Sequence, residues 1–140
     1  MMENKFLIGN ESIEAAIAAF SLDPCEDTAL AVVRVLQERM NQDGHLLIPV
    51  LLSEGGQSYQ LRPLEYDGGA VYMVAFTSEA ELEKGGPSNI LSHFIDVYFD
   101  VVLDFEEAQG LVINPFGQPF FLQKDLLAAV LQQRPVRDEE

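Results

Sequence analysis

The sequence predicts an α+β domain in which a mixed, mainly antiparallel sheet of about five strands packs with helices. Three observations carry that prediction. Apolar residues recur at helical spacing from Ile13 to Met40, and the period becomes extended between Leu46 and Phe76. Between the extended runs lie Glu54-Gly55-Gly56-Gln57 and Tyr66-Asp67-Gly68-Gly69, whose glycines supply positive φ without steric cost.

Asn10 reads as the N-cap of a first helix over Glu11–Phe20, with Ile13, Ala16, Ile17 and Phe20 on its buried stripe. A second helix is predicted over Pro24–Gln42. Asp23 is its cap, Pro24 occupies the first helical position, where a missing amide hydrogen costs nothing, and Glu26 completes a capping box. Leu30, Val33, Leu36 and Met40 form the inner face. Arg34 and Arg39 complement the macrodipole near the C-terminus, and Gly44 stops the helix.

Leu46–Leu52, Tyr59–Glu65 and Ala70–Phe76 then form an antiparallel three-stranded meander. Pro49 and Pro63 lack an amide hydrogen, which places both at an edge or a bulge. The chain leaves the third strand through Thr77, and Ser78 with Glu81 forms the capping box of a short helix ended by Gly85-Gly86-Pro87. Ser88 or Asn89 caps the next segment, Ile90 to Glu107. Its β-branched and aromatic content suits a strand. Its acids decide for a long helix: Asp96, Asp100, Asp104 and Glu107 gather on one helical side, whereas an extended chain mixes them with Phe94, Tyr98 and Val102. The apolar arc from Leu91 to Phe105 is wide enough for a central core helix or for half of a homodimer interface, with Phe99 and Leu103 beside the acids.

Leu111–Ile113 and Pro119–Leu122 make a C-terminal strand pair around Asn114-Pro115-Phe116-Gly117, which has type I turn chemistry. Leu126, Leu127, Val130 and Leu131 mark a terminal amphipathic helix, and the charged chain from Arg134 is expected to fray. The organisation is one domain over 1–134 and a charged flexible tail over 135–140.

With 140 residues, 48% of them hydrophobic and 22% charged, the chain has the composition of a globular domain that encloses one core without staples. Twenty-three acidic against eight basic residues give a net charge of −15. That balance repels nucleic acid and anionic membranes and attracts basic proteins. Cys25 is the single cysteine, so no internal disulfide forms. The first nine residues hold too short an apolar run for export or anchoring, and the expected compartment is the reducing cytoplasm.

Chemistry-bearing residues are sparse. His93 and Asp96, Asp100 and Asp104 have ligand-like helical spacing, but carboxylates on one helix face splay toward water, and the stripe reads as a solvated face. Cys25 lies in a helical first turn, yet Asp23, Glu26 and Asp27 oppose a thiolate there. The glycine pairs join strand to strand and form no phosphate loop, and no serine sits on a strand-turn-helix elbow. His45 and His93 with one cysteine offer little material for zinc or a triad. A non-enzymatic protein without cofactor or metal is expected. Phe116, central in its turn, either folds back over the edge of the core or meets a partner.

Asp67-Gly68-Gly69, the run Val74 to Leu82, Gly110 to Gly117, Phe121-Leu122 and the helix from Lys124, together with the two leading helices, resemble the N-terminal domain of the SseB family. The similarity spans nearly the whole chain. The family is named for an enhanced serine sensitivity phenotype, so the resemblance implies no settled activity, cofactor or catalytic residue. Many members continue into a second, C-terminal domain, and a role residing there does not carry over to these residues.

The expected function is an interaction or regulatory module that binds a basic protein, an immunity or inhibitor role included. Its expected contact surfaces are the Phe76-Thr77 corner, the Asn114-Pro115-Phe116 turn and the acids Asp96, Asp100 and Asp104. The alternative is a sensor of an amino acid or a metal at the sheet end where Thr77 and Asn114 converge.

Overall fold

Among the described residues, seven strands in two sheets stand where one sheet of about five was expected, and the proline at position 63 marks where the predicted meander divides. The computed structural model describes residues 7–52, 59–61, 63–85 and 89–134. Helices α1 (Glu11–Leu22) and α2 (Glu26–Asn41) lead into β1 (His45–Leu52), β2 (Tyr59–Leu61), β3 (Leu64–Glu65) and β4 (Val71–Ala75). The short α3 (Glu79–Glu83) is followed by β5 (Asn89–Phe94), α4 (Ile95–Asp104), β6 (Gly110–Ile113), β7 (Phe120–Gln123) and α5 (Lys124–Leu131). The architecture is α+β, as predicted.

One sheet has the order β2-β1-β5 and the other β3-β4-β6-β7. Among the described residues the pairings are antiparallel except β4 with β6, which is parallel. Where a continuous Tyr59–Glu65 strand was expected, Tyr59–Leu61 pairs with β1 and Leu64–Glu65 pairs with β4. A proline cannot donate to a ladder, so the chain changes sheets there. A bridge between Leu47 and Phe76, with both backbone bonds at 2.9 Å, joins the two sheets. The Leu47 amide points to Phe76, so by alternation the Pro49 nitrogen faces the same edge, between that bridge and the Val50–Leu61 pair, where its missing hydrogen costs no ladder bond.

The long helix expected over Ile90–Glu107 is corrected. Asn89–Phe94 is a strand across β1 from His45 to Val50, and helix begins only at Ile95, whose amide donates to the Gly44 carbonyl at 3.1 Å. The physical reason is plain in the residues. Every acid that argued for helical period lies at or beyond position 96, so the pattern spoke for the second part alone, and pairing with β1, which the strand propensity of Ile90-Leu91 permits, decided the first.

Other local signals held or shifted. Gly68 and Gly69 adopt φ of 82° and 85° in the tight turn between β3 and β4. The second helix starts two residues later than predicted, because Thr28, not Glu26, answers the cap: its hydroxyl accepts from the Cys25 amide at 3.2 Å and reaches the Asp23 carbonyl at 2.8 Å. Leu30 is exposed and Val32 is buried in its place. The helix closes with Gly44 N–H bonded to the Arg39 carbonyl and Asp43 N–H to that of Met40, Asp43 taking the left-handed conformation at φ 61°. The turn expected at Glu54–Gln57, the Gly86-Pro87 stop, the Ser88 cap and the 135–140 tail lie outside the described residues.

The main core lies between one face of the sheets and helices α1, α2, α4 and α5, with Leu36, Met73, Phe99, Leu111 and Leu122 completely buried. On the opposite face Leu47, Tyr72, Val74, Phe76 and Val112 form a second, smaller cluster partly covered by Leu82 of α3. No described helix is long and apolar enough to cross a membrane.

Tyr98 ties α4 to the sheet, its hydroxyl donating to the Val74 carbonyl at 2.8 Å. Burial pushes its pKa above the ordinary 10.0. The unfolded chain therefore loses this proton first, so the stabilisation is complete below pH 10.0 and declines as pH rises above it. Denaturant titrations from neutral to alkaline pH should show that decline in the parent and a smaller one in Tyr98→Phe, which starts about 1 kcal/mol less stable for want of the hydrogen bond. Identical alkaline slopes would remove Tyr98 as the cause.

Candidate interaction surface

The parallel pairing of Ala75 with Ile113 sets the ends of β4 and β6 side by side, and the residues that follow, Thr77 and Asn114, meet as expected. The Thr77 amide donates to Asn114 Oδ1 at 3.0 Å, and Asn114 Nδ2 donates to Thr77 Oγ1 at 3.0 Å. Thr77 Oγ1 in turn donates to Glu14 Oε2 at 2.5 Å. Both residues are buried. Their convergence is toward each other, which spends the groups that an amino-acid sensor would need.

Asn10 stands at the N-cap position of α1, as expected, but its side chain extends this network instead of capping the helix. Its backbone is helical and its side chain makes no cap bond. Nδ2 donates to the carbonyls of His45 at 2.9 Å and Thr77 at 3.1 Å, while Oδ1 accepts from Arg39 Nε at 2.8 Å. Arg39, read from sequence as a dipole partner, is buried; desolvation lowers its pKa and Glu11 opposes the shift. Gly44 is the space that admits it, since a Cβ there would lie 2.7 Å from Arg39 Nη2. No spacing rule pairs Asn10 with Thr77 or Arg39, so sequence reasoning missed the arrangement.

Phe116 folds back over the core edge. Its ring stacks on Phe76 with centroids 6.1 Å apart and planes at 27°, over Gly85, and it remains 47% exposed. Pro115 is half-buried beside it. The corner is thus packed, with one aromatic face open to solvent.

The acidic stripe is divided. Ile95, Tyr98, Phe99 and Val102 face the core, so Phe99 is fully buried rather than set beside solvated acids. Asp96 is only 1% exposed, 3.5 Å from Arg134 Nη2. Arg134 also lies 3.6 Å from Asp100, which anchors the residue at which fraying was expected to begin. Asp100 and Asp104 are exposed on the outer side of α4, with Val101 at 45% exposure and Val97 half-buried. Glu107 lies beyond the helix. Among the described residues no three His, Cys, Asp or Glu side chains gather as a metal site.

Against this side of α4 lies a cleft of about 170 Å³ between the helix and the β2-β1-β5 sheet. Ile48 and Tyr98 form its buried floor, and Leu61, Leu91, Val97 and Val101 its walls, with His93 completing the lining. The sequence placed Leu91 and Val101 on one helical arc; the strand-to-helix change at Ile95 sets them instead on two sides of a groove.

The opposite face of the four-stranded sheet carries a second feature that was not anticipated. Tyr66, Tyr72 and Phe121 pack edge to face with centroids 5.0–5.7 Å apart, and Phe121 is exposed. Its signal was present in β4 and β7, where apolar residues run without alternation and therefore serve both faces.

A family model for the SseB protein N-terminal domain matches residues 13–129. Neither a curated protein nor a solved structure matches the chain.

Proposed function

We propose that this chain, which belongs to the SseB protein N-terminal domain family, is a non-enzymatic cytoplasmic interaction module that holds a basic protein against the outer face of α4. One observation carries the reading: Asp100 and Asp104 stand exposed beside Val97 and Val101 on a single helix of a chain with net charge −15. Carboxylates steer a cationic partner and adjoining apolar groups retain it. A basic toxin or enzyme neutralised by this face is the finer form of the same reading.

Two further facts support it. The polar residues of the Thr77-Asn114 corner answer one another inside the fold, which leaves that corner a structural role. Part of the apolar girth that suggested a homodimer, namely Ile95, Tyr98, Phe99 and Val102, is spent on the core-facing side of α4.

Affinity capture on the immobilised chain tests the proposal. A specific partner of high isoelectric point should bind at about 0.1 M salt and elute toward about 1 M, as the screening length falls from about 10 Å to about 3 Å. Rebinding of the purified partner with the same salt dependence completes the result. A partner held with equal strength at both salts, or the lack of any specific partner, overturns it.

A further inference from the structure

We infer that the cleft beside α4 is a socket for one leucine- or phenylalanine-sized side chain, presented by a basic segment of the partner. This rests on the interaction reading above and adds the anchor and its chemistry.

Size sets the first limit. An engineered apolar cavity of about 150 Å³ admits benzene, so about 170 Å³ takes one ring or one branched aliphatic group and little more. Chemistry sets the second. The floor offers no free hydroxyl, because that of Tyr98 is committed to the Val74 carbonyl at 2.8 Å. His93, in the lining, accepts the Phe94 amide at Nδ1 over 2.8 Å, which leaves Nε2 as the ring nitrogen that can meet a polar group of the guest. An apolar hollow with a single polar handle is the form of an anchor-residue pocket.

Charge identifies the guest. Val101 follows Asp100 directly and lies one turn before Asp104, so a side chain seated on Val101 brings its neighbours within reach of both carboxylates. Lysine or arginine flanking the anchor completes the match. A second copy of the chain would bring another −15 charges to the same place, which disfavours self-association.

The probe is a synthetic lysine-rich peptide with one central leucine, titrated into the full chain and followed by amide chemical shifts. Shifts should concentrate at Leu61, Leu91, His93, Val97 and Val101. Replacing the peptide leucine by asparagine should weaken binding about tenfold, a change that needs no protein variant. Val101→Asp should also weaken it about tenfold, although it adds a negative charge that steering alone would reward. Equal or tighter binding to Val101→Asp, or equal binding of both peptides with shifts spread over other acids, overturns the socket and leaves the basic-partner reading standing. No binding of either peptide at low salt overturns both.

Discussion

Asn10→Ala is expected to lower folding stability by about 3–5 kcal/mol, a large share of the 5–15 kcal/mol typical of a domain. The amide answers two buried carbonyls and one buried guanidinium nitrogen, so truncation removes three hydrogen bonds at once. Each buried polar group stripped of a partner costs about 1–3 kcal/mol, and local relaxation recovers part of the sum. Urea denaturation should show the loss as a lower midpoint at unchanged slope. Asn10→Ser separates this account from helix capping. Serine is as good an N-cap as asparagine, yet its hydroxyl cannot span the carbonyls of His45 and Thr77 and also accept from Arg39. A serine variant as stable as the parent would return Asn10 to the role of a cap. In the network account it falls close to the alanine variant.

Gly110→Ala should be about as costly, roughly 3–5 kcal/mol, for a steric reason. Gly110 pairs with Tyr72 on one side and Gln123 on the other. A Cβ there would overlap the Leu122 carbonyl oxygen and lie 2.9 Å from Gln123 Cα, and backbone atoms cannot swing aside. Strand β7 must move, and the Phe120 and Leu122 side chains that it carries into the core move with it. Gly68→Ala is the comparison. Gly68 has φ of 82° but nothing within 4 Å of an added Cβ, so only backbone strain of about 1–2 kcal/mol applies. Amide exchange in β6 and β7 should accelerate far more in Gly110→Ala than in Gly68→Ala. Equal stability of the two variants would show that close approach of β7 does not govern Gly110.

By itself the sequence determined the α+β class, the acidic surface, the β3–β4 turn at Asp67–Gly69, the Ser78 cap, the Asn114–Gly117 turn and the terminal helix. These depend on side chains within four or five residues of one another, and each signal sits inside the segment it describes. The tertiary structure decided the rest. Asn89–Phe94 became a strand because β1 lay beside it, the meander divided where Pro63 left the ladder, and Asn10 turned inward to a carbonyl 67 residues away. The acids of α4 show the division most clearly. Their helical spacing was legible, but the rotation of a helix is set by what it packs against. The side of α4 carrying Ile95, Tyr98, Phe99 and Val102 met the core, so Asp96 was buried against Arg134 while Asp100 and Asp104 stayed in water beside the cleft.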